Sequence, residues 1–219
     1  MKKGGFLSQY ESYLANGHDY VEIAGIKWAT MNVGAKKVTD IGLYFQWGDT
    51  KGYTASDISG VIRQKAFTLD DYKYYSGAGT PSYAMTKYKF ADGKMVLDLC
   101  DDMVYANWGG GWRMPTKQEF AALGEAVTTA WTTDYQGSGV SGLILTDKVD
   151  SSKVLFFPAA GWVKIGIIFA IGNGGYYWSS SLRRGYVLAA FNLCFNSSTV
   201  DWRSTIGRPC GCPVRGVIG

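Results

Sequence analysis

The chain has 219 residues, 47% of them hydrophobic and 18% charged, with 8 Trp, 15 Tyr and 10 Phe. That much apolar material offsets the ordering entropy of one large domain, which excludes a disordered chain, and 4 Cys are too few for a disulfide scaffold. Net charge is only +4, and Gly, at 29 residues, is nearly twice its usual share of about 7%, so the composition favours a loop-rich fold held by ring packing over a helical bundle.

Residues 1–17 read as an N-terminal extension with a helical turn or two around Leu7 to Leu14, ahead of a single domain over 18–219. Lys2 and Lys3 imitate the start of a signal peptide, but no apolar stretch follows and Glu11 arrives early, so synthesis in a cytoplasm is expected. From Tyr20 the pattern is strand-like: Tyr20 to Ile23, a turn at Gly25, then Ile26 to Thr30. Gly42 to Gly48 reads as a short aromatic strand. Residues 49–94 read as long loops, with Asp70-Asp71 and Asp101-Asp102 as surface pairs. Gly109-Gly110-Gly111 is a turn with no following Gly-Lys-Ser/Thr, hence not a phosphate loop. Thr116 and Glu119 form a capping-box pattern that starts the clearest helix, with Phe120, Leu123 and Val127 on one face. Leu143 to Leu145 and Val154 to Pro158 read as buried strands. Trp162 to Ile171 reads as another; the apolar run there is interrupted by Lys164 and is far too short to span a bilayer. Gly172 to Gly175 turns into Tyr176 to Ser179. Phe191, Leu193 and Phe195 alternate with Asn192, Cys194 and Asn196, and Pro213 to Val217 is the last strand. The stretches 182–190 and 197–211 read as loops.

Charge and composition break near residue 183. Residues 183–219 hold Arg183, Arg184, Arg203, Arg208 and Arg215 against Asp201 alone, whereas basic and acidic groups balance before them. Every Lys, Glu, Gln and Met of the chain precedes residue 183, while Cys194, Cys210 and Cys212 follow it. A β-rich end disfavours Lys and Glu, but that does not account for the joint loss of Gln and Met.

Tyr20-Val21-Glu22-Ile23 followed by Lys27-Trp28-Ala29-Thr30-Met31-Asn32-Val33-Gly34-Ala35 resembles the opening of the Fibrobacter succinogenes major paralogous domain, common in gut Bacteroidetes and their phages. Tyr44-Phe45-Gln46-Trp47-Gly48-Asp49-Thr50, Gly111-Trp112-Arg113-Met114-Pro115-Thr116 and Gly175-Tyr176-Tyr177-Trp178-Ser179-Ser180-Ser181 are similar to its later blocks. Arg113-Met114-Pro115-Thr116 also resembles a helix start of formylglycine-generating enzymes, whose fold is C-type-lectin-like. Ser179-Ser180-Ser181-Leu182, Phe191-Asn192-Leu193, Phe195-Asn196-Ser197-Ser198 and Pro213-Val214-Arg215-Gly216-Val217 resemble the fixed frame of a variable region in a diversity-generating retroelement protein. The resemblance implies a variable region over about 179–217. In that family adenines of template Asn codons are randomised, which yields no Lys, Glu, Gln, Met or Trp. The compositional break fits that rule; Trp202 departs from it, so the resemblance implies that Trp202 is template-fixed or outside the randomised codons.

The resemblance implies an α+β domain of the C-type-lectin-like class, with short antiparallel strands, few helices and long loops. A rigid β frame lets loop side chains vary at little cost to folding, and exposed Arg, Tyr and Trp most often anchor interfaces. The candidate contact residues are Arg183, Arg184, Gly185, Tyr186, Val187 and Leu188 in one loop and Cys194 on the strand. Trp202, Arg203, Ser204, Thr205, Ile206, Pro209, Cys210 and Cys212 complete the set. Val187 and Leu188 have packing inward as the plain alternative.

Other chemistries fit less well. His18, the single histidine, reads as a solvated loop residue, so no Ser-His-Asp or Cys-His engine is visible. Cys210 and Cys212 are one residue apart with no nearby His, unlike a structural zinc site or the cysteine pair of formylglycine-generating enzymes. No Glu-Pro-Asn or Gln-Pro-Asp triplet for sugar-bound calcium occurs. No cofactor is expected. The sequence thus leads to non-catalytic binding of a variable protein or glycan target on a bacterial surface, with no nucleic acid and no membrane insertion. A phage tail tip, after cytoplasmic synthesis, is the expected setting, with a homo-oligomer or phage structural proteins as further partners. A cell-surface adhesin or lipoprotein is the nearest alternative, and a cysteine-dependent oxidase on the same fold is the alternative of a different class.

Overall fold

The computed structural model describes residues 13–61, 63–77 and 79–219. β1 (Tyr13–Ala15) runs into β2 (His18–Ile23), and β2 into β3 (Ile26–Asn32), through two-residue turns. Both turns place both central residues at positive φ: Asn16 at 46° and Gly17 at 81°, then Ala24 at 54° and Gly25 at 73°. Such turns match the right-handed twist of the strands they join. Glycine takes that backbone without strain, and Ala24 does so at a cost of about 1–2 kcal/mol. Thus residues 13–17 belong to the first sheet, and the domain boundary expected at residue 17 cuts through a hairpin. The helical turns expected around Leu7 to Leu14 lie outside the described residues up to residue 12, and Leu14 itself is in β1.

Three short helices follow. α1 (Ala55–Ser59) is capped by Thr54 and α2 (Met103–Trp108) by Asp102. α3 (Lys117–Ala126) carries the expected capping box: Thr116 Oγ1 accepts from the Glu119 N–H at 3.2 Å, and a Glu119 carboxylate oxygen accepts from the Thr116 N–H at 2.7 Å. Arg113 adds a two-pronged pair to Glu119 at 2.8 and 2.6 Å. Phe120 and Leu123 are buried, while Val127 already opens the next strand.

β4 (Val127–Thr132), β5 (Gly142–Asp147) and β6 (Val154–Pro158) form one antiparallel sheet in that order. β7 (Trp162–Lys164) and β8 (Ile167–Phe169) form a small hairpin. β9 (Gly174–Leu182), β10 (Ala189–Asn196) and β11 (Val200–Gly207) make the third sheet, in the order β11-β10-β9. β12 (Arg215–Ile218) returns to pair with β3, so the first sheet, β1-β2-β3-β12, joins the two ends of the described chain.

The α+β, C-type-lectin-like class implied by the resemblance is corrected to a predominantly β architecture of several small antiparallel sheets. The described residues form twelve strands, against α-helices of 5, 6 and 10 residues. The shortfall came from segments read as loops. β11 is polar, with Asp201, Arg203, Ser204 and Thr205, and takes its extended form from pairing with β10. β4 follows α3 with no turn residue between. Trp162 to Ile171 breaks at Ile165 and Gly166, both at positive φ, into a hairpin. Gly42 to Gly48 makes isolated bridges, Tyr44 to Tyr53 and Phe45 to Cys212, and no full strand.

Of the aspartates read as surface pairs, Asp70 is exposed, while Asp71, Asp101 and Asp102 are structural. Asp71 accepts from the N–H groups of Ala66, Phe67 and Thr68. Buried Asp102 accepts from Val104 and Tyr105, satisfying orphan donors at the start of α2, and from the Met114 N–H, which ties the segment before α3 to α2. Asp101 is buried beneath Lys73, Lys87 and Tyr88. His18 is no loop residue either: it lies in β2 and stacks on Trp108, with ring centroids 3.9 Å apart.

The core has two main clusters. One gathers Trp47, Tyr72, Tyr88, Trp112, Trp178 and Val214. The other gathers Trp28, Phe120, Phe157, Tyr177, Leu193 and Phe195. β10 divides them as its alternation requires: Ala190 packs in the first, Leu193 and Phe195 in the second.

Candidate functional site

β9, β10 and β11 carry the residues that the sequence marks for binding. The loop 183–188 is closed by hydrogen bonds from the Arg183 N–H to the Ala189 carbonyl and from the Ala189 N–H to the Tyr186 carbonyl. Gly185 sits at φ 82°, which lets the chain reverse there. Arg183, Arg184, Gly185 and Tyr186 are exposed, and the Arg183 guanidinium lies 5.4 Å from the centre of the Tyr186 ring. Val187, by contrast, is 3% exposed and packs in the first core cluster, with half-buried Leu188 against it. Their inward packing removes Val187 from the candidate contact set and leaves Leu188 at its edge.

Two of the five C-terminal arginines are wholly buried. Arg208 donates to the Tyr72 hydroxyl at 2.8 Å and to the carbonyls of Val187, Tyr88 and Lys87 at 2.8, 3.1 and 3.0 Å. Four rings surround it, Trp47 nearest at 5.0 Å. Arg215 donates to Asn32 Oδ1 and to the carbonyls of Ala29, Thr30 and Phe156, and its guanidinium lies 4.3 Å from the Phe157 ring centre. Burial lowers the Arg215 pKa to about 10. Neither arginine is held by a carboxylate among the described residues; carbonyl dipoles and ring faces do that work. The C-terminal excess of positive charge is therefore partly internal, and Arg183, Arg184 and Arg203 are the exposed remainder.

The thiols are also sequestered. Cys210 and Cys212 are buried, Cys194 is half-buried, and all are free. The backbone around them is clamped: Gly211 exchanges hydrogen bonds with Val163, and Cys212 with Phe45. A Cβ on Gly211 would meet the Phe67 ring at 2.4 Å, so this crossing needs a glycine. Burial pushes Cys210 up to about 11, Cys212 well above its ordinary value, and Cys194 upward. All three are neutral at pH 7 and poor nucleophiles. Cys212 is thereby corrected from contact residue to core residue.

Ile206, Pro209 and Cys210 line an apolar trough of about 390 Å³ with Phe67, Leu69 and Trp162. Lys164 is its charged rim. Trp162 is fixed by stacking on Phe169 and by Tyr176, which reaches Cys194. Ser204 pairs across the ladder from Asn192 and bonds Cys194, so it shares this side of the sheet. Thr205 is opposite Phe191, on the side facing α3, where the Lys117 ammonium lies 4.4 Å from the Phe191 ring centre.

The remaining candidates sit elsewhere. Arg183, Arg184 and Gly185 border a hollow of about 440 Å³ with Lys89, Phe90 and Met95. Trp202 and Arg203 border one of about 400 Å³ with Glu125 and Asp201. The Trp202 indole lies flat on α3 at Gly124, where a Cβ would be 2.6 Å from the ring. The candidate residues that line a hollow are thus divided among separate hollows, while Tyr186, Leu188, Cys194, Ser204 and Thr205 border none of these. The sequence reading missed Trp162, Phe67, Leu69 and Lys164. A signal was present: Trp162 shares its run with Ile165, Ile167, Phe169 and Ile171, and all four of those are exposed on or beside the β7–β8 hairpin.

Asp98, Cys100 and Asp101 bring ligand atoms within 4.8 Å of one another. Lys87 and Lys94 already hold Asp98, and Lys73 and Lys87 hold Asp101. Burial alone would raise Asp101; hydrogen bonds from Lys87, Tyr74, Tyr88 and Lys73 outweigh it and hold the carboxyl well below its usual range. The group is a lysine–aspartate knot with its charge already neutralised.

No family model, no curated protein and no solved structure matches the chain.

Proposed function

We propose that the chain is a non-catalytic binding protein whose 179–217 segment is the variable region of a diversity-generating retroelement protein with a Fibrobacter succinogenes major paralogous domain. Its target is a protein or glycan on a bacterial surface. The observation that carries this reading is the compositional break at residue 183 coinciding with exposed Arg183, Arg184 and Tyr186 on the β9–β10 connection and exposed Arg203 on β11 of the same sheet. Buried Arg208 and Arg215 support it, because they hold the backbone independently of the exposed loop side chains. The trough beside Trp162 supplies an apolar centre of the kind interfaces favour, with Lys164 as its charged rim.

The neutral thiols weigh against a cysteine-dependent oxidase. Internal Arg208 and Arg215 weigh against nucleic acid, since only exposed cations reach phosphates. The setting proposed is a phage tail tip after cytoplasmic synthesis, with a homo-oligomer or phage structural proteins as its mounting; a cell-surface adhesin or lipoprotein is the alternative.

The test has two arms. Neighbouring DNA is sequenced for a near-identical template repeat that differs mainly at adenines, together with a reverse transcriptase. Purified protein is also assayed for binding to cell envelopes of gut bacteria, alongside the Arg183→Ala/Arg184→Ala/Tyr186→Ala triple variant. A template repeat and an envelope partner lost in the triple variant are expected. Absence of a template repeat, or binding that the triple variant leaves untouched, overturns the reading.

A further inference from the structure

A further groove, of about 410 Å³, lies between β4 and the turn that joins β10 to β11. Its volume falls within the range of about 300–1,000 Å³ common for small-ligand sites. None of its lining side chains is ionisable. Two indoles, Trp131 and Trp202, stand in its wall, and both are partly exposed. Each is held in place: Trp131 meets the edge of Phe195 at 6.5 Å, and Trp202 lies against Gly124 of α3. The hydroxyls of Thr129, Ser197 and Ser198 and both indole N–H groups find no protein partner among the described residues. Asn196 Oδ1 accepts from the N–H groups of Ser198 and Thr199 and so fixes the turn that presents those hydroxyls.

We infer that this groove is a binding site for a neutral saccharide. A pyranose has an apolar C–H face and a rim of hydroxyls, each both donor and acceptor. The surface the groove exposes is mostly polar: unpaired hydroxyl and indole N–H groups meet the hydroxyl rim, the exposed edges of two fixed indoles meet the C–H face, and no charge is desolvated unpaired. Rigid rings lose little freedom when a ligand arrives. Asn196 to Val200 and Trp202 fall within the 179–217 segment, so the site draws on that segment; Thr129, Trp131 and Leu143 lie outside it, and the Arg183–Tyr186 loop borders a different hollow, so the two sites fail separately.

The test is a titration of the ¹⁵N-labelled protein with glucose, galactose, N-acetylglucosamine, cellobiose, lactose and chitobiose, with glucuronate as the charged control. The indole N–H signals of Trp131 and Trp202 are assigned from Trp131→Phe and Trp202→Phe. At least one neutral sugar is expected to move both signals saturably with a dissociation constant of about 1 mM, the range for so small a ligand. Trp131→Ala is expected to weaken binding at least about tenfold. Ser197→Ala/Ser198→Ala and Thr129→Val, surface changes that leave the core intact, weaken it as well, so the result does not hang on the folding of the tryptophan variant. The Arg183→Ala/Arg184→Ala/Tyr186→Ala variant retains it, which separates this site from the proposed variable surface. No saturable shift of either signal at about 50 mM of any neutral sugar, binding unaffected by the hydroxyl variants, or glucuronate binding as well as glucose overturns the inference.

Discussion

Arg208 Nη1 donates to the Val187 carbonyl at 2.8 Å, tying the end of β11 to the loop that displays Arg183, Arg184 and Tyr186. The same guanidinium reaches Tyr88 and Lys87, so one buried cation joins three segments distant in sequence. Its partners are three carbonyls and one hydroxyl. Conversely, the loop side chains it supports point outward and make few contacts with the frame.

Replacing Arg208 with Met is therefore expected to cost about 2–5 kcal/mol, since it strands several buried acceptors. The 183–186 loop loosens at the same time. Urea denaturation reads the first effect, and the rate of tryptic cleavage after Arg183 and Arg184 reads the second. An unchanged midpoint together with unchanged cleavage would refute the anchoring role.

Alkaline pH should destabilise the fold. Burial raises Tyr176 and Tyr177 to about 12 and Cys210 to about 11, above the unfolded values of about 10 and 8.5. Between those limits the unfolded chain has lost protons that the folded chain keeps. The stability these groups contribute is fully present below about pH 8.5 and is lost as pH rises toward 12. Arg215 acts in the opposite sense: its value is lowered to about 10, so the cost of burying its charge is relieved above that pH. It is one group against several. Each group protonated only in the folded state removes about 1.4 kcal/mol per pH unit. Thermal unfolding at pH 8 to 11 should show a falling Tm. A Tm that is flat or rises over that range contradicts this account.

Alkylation should sort the cysteines by burial. Cys100 is exposed and should react first, Cys194 more slowly, and Cys210 and Cys212 only on unfolding. A thiol at about 11 holds roughly a hundredfold less thiolate at pH 7 than one at about 9, before any barrier to access. Mass spectrometry after timed iodoacetamide treatment measures the order. Early labelling of Cys212 would mean that the clamp around Gly211 opens in the native state.

Much of the frame was legible because local chemistry decides it. Thr116 and Glu119 specify a helix start within four residues, and Leu193 to Asn196 alternate as a half-buried strand must, whereas register shifts beside Asn192 bury that amide and leave Phe191 half-exposed. What escaped was decided by partners far along the chain. β11 is polar and extended only because β10 pairs with it, and Arg208 looks like a surface cation until Tyr72, Tyr88 and Val187 are seen around it. The trough escaped for the same reason: Phe67, Trp162 and Pro209 meet only in three dimensions. Carboxylates such as Asp71 and Asp102 were misjudged because a sequence does not reveal which backbone N–H groups lack partners.

The separation of frame from display has a direct consequence for mutational tolerance. Arg183, Arg184 and Tyr186 are exposed, and their only described side-chain contact is with one another, so the triple alanine variant should change unfolding free energy by less than about 0.5 kcal/mol. Val187, one position on, is 3% exposed within the first core cluster; Val187→Ala removes buried methyl groups and should cost about 1–3 kcal/mol. Chemical denaturation of both variants decides the matter. If the triple variant proves as costly as Val187→Ala, the exposed residues are part of the scaffold, and a surface free to vary is no longer tenable at that loop.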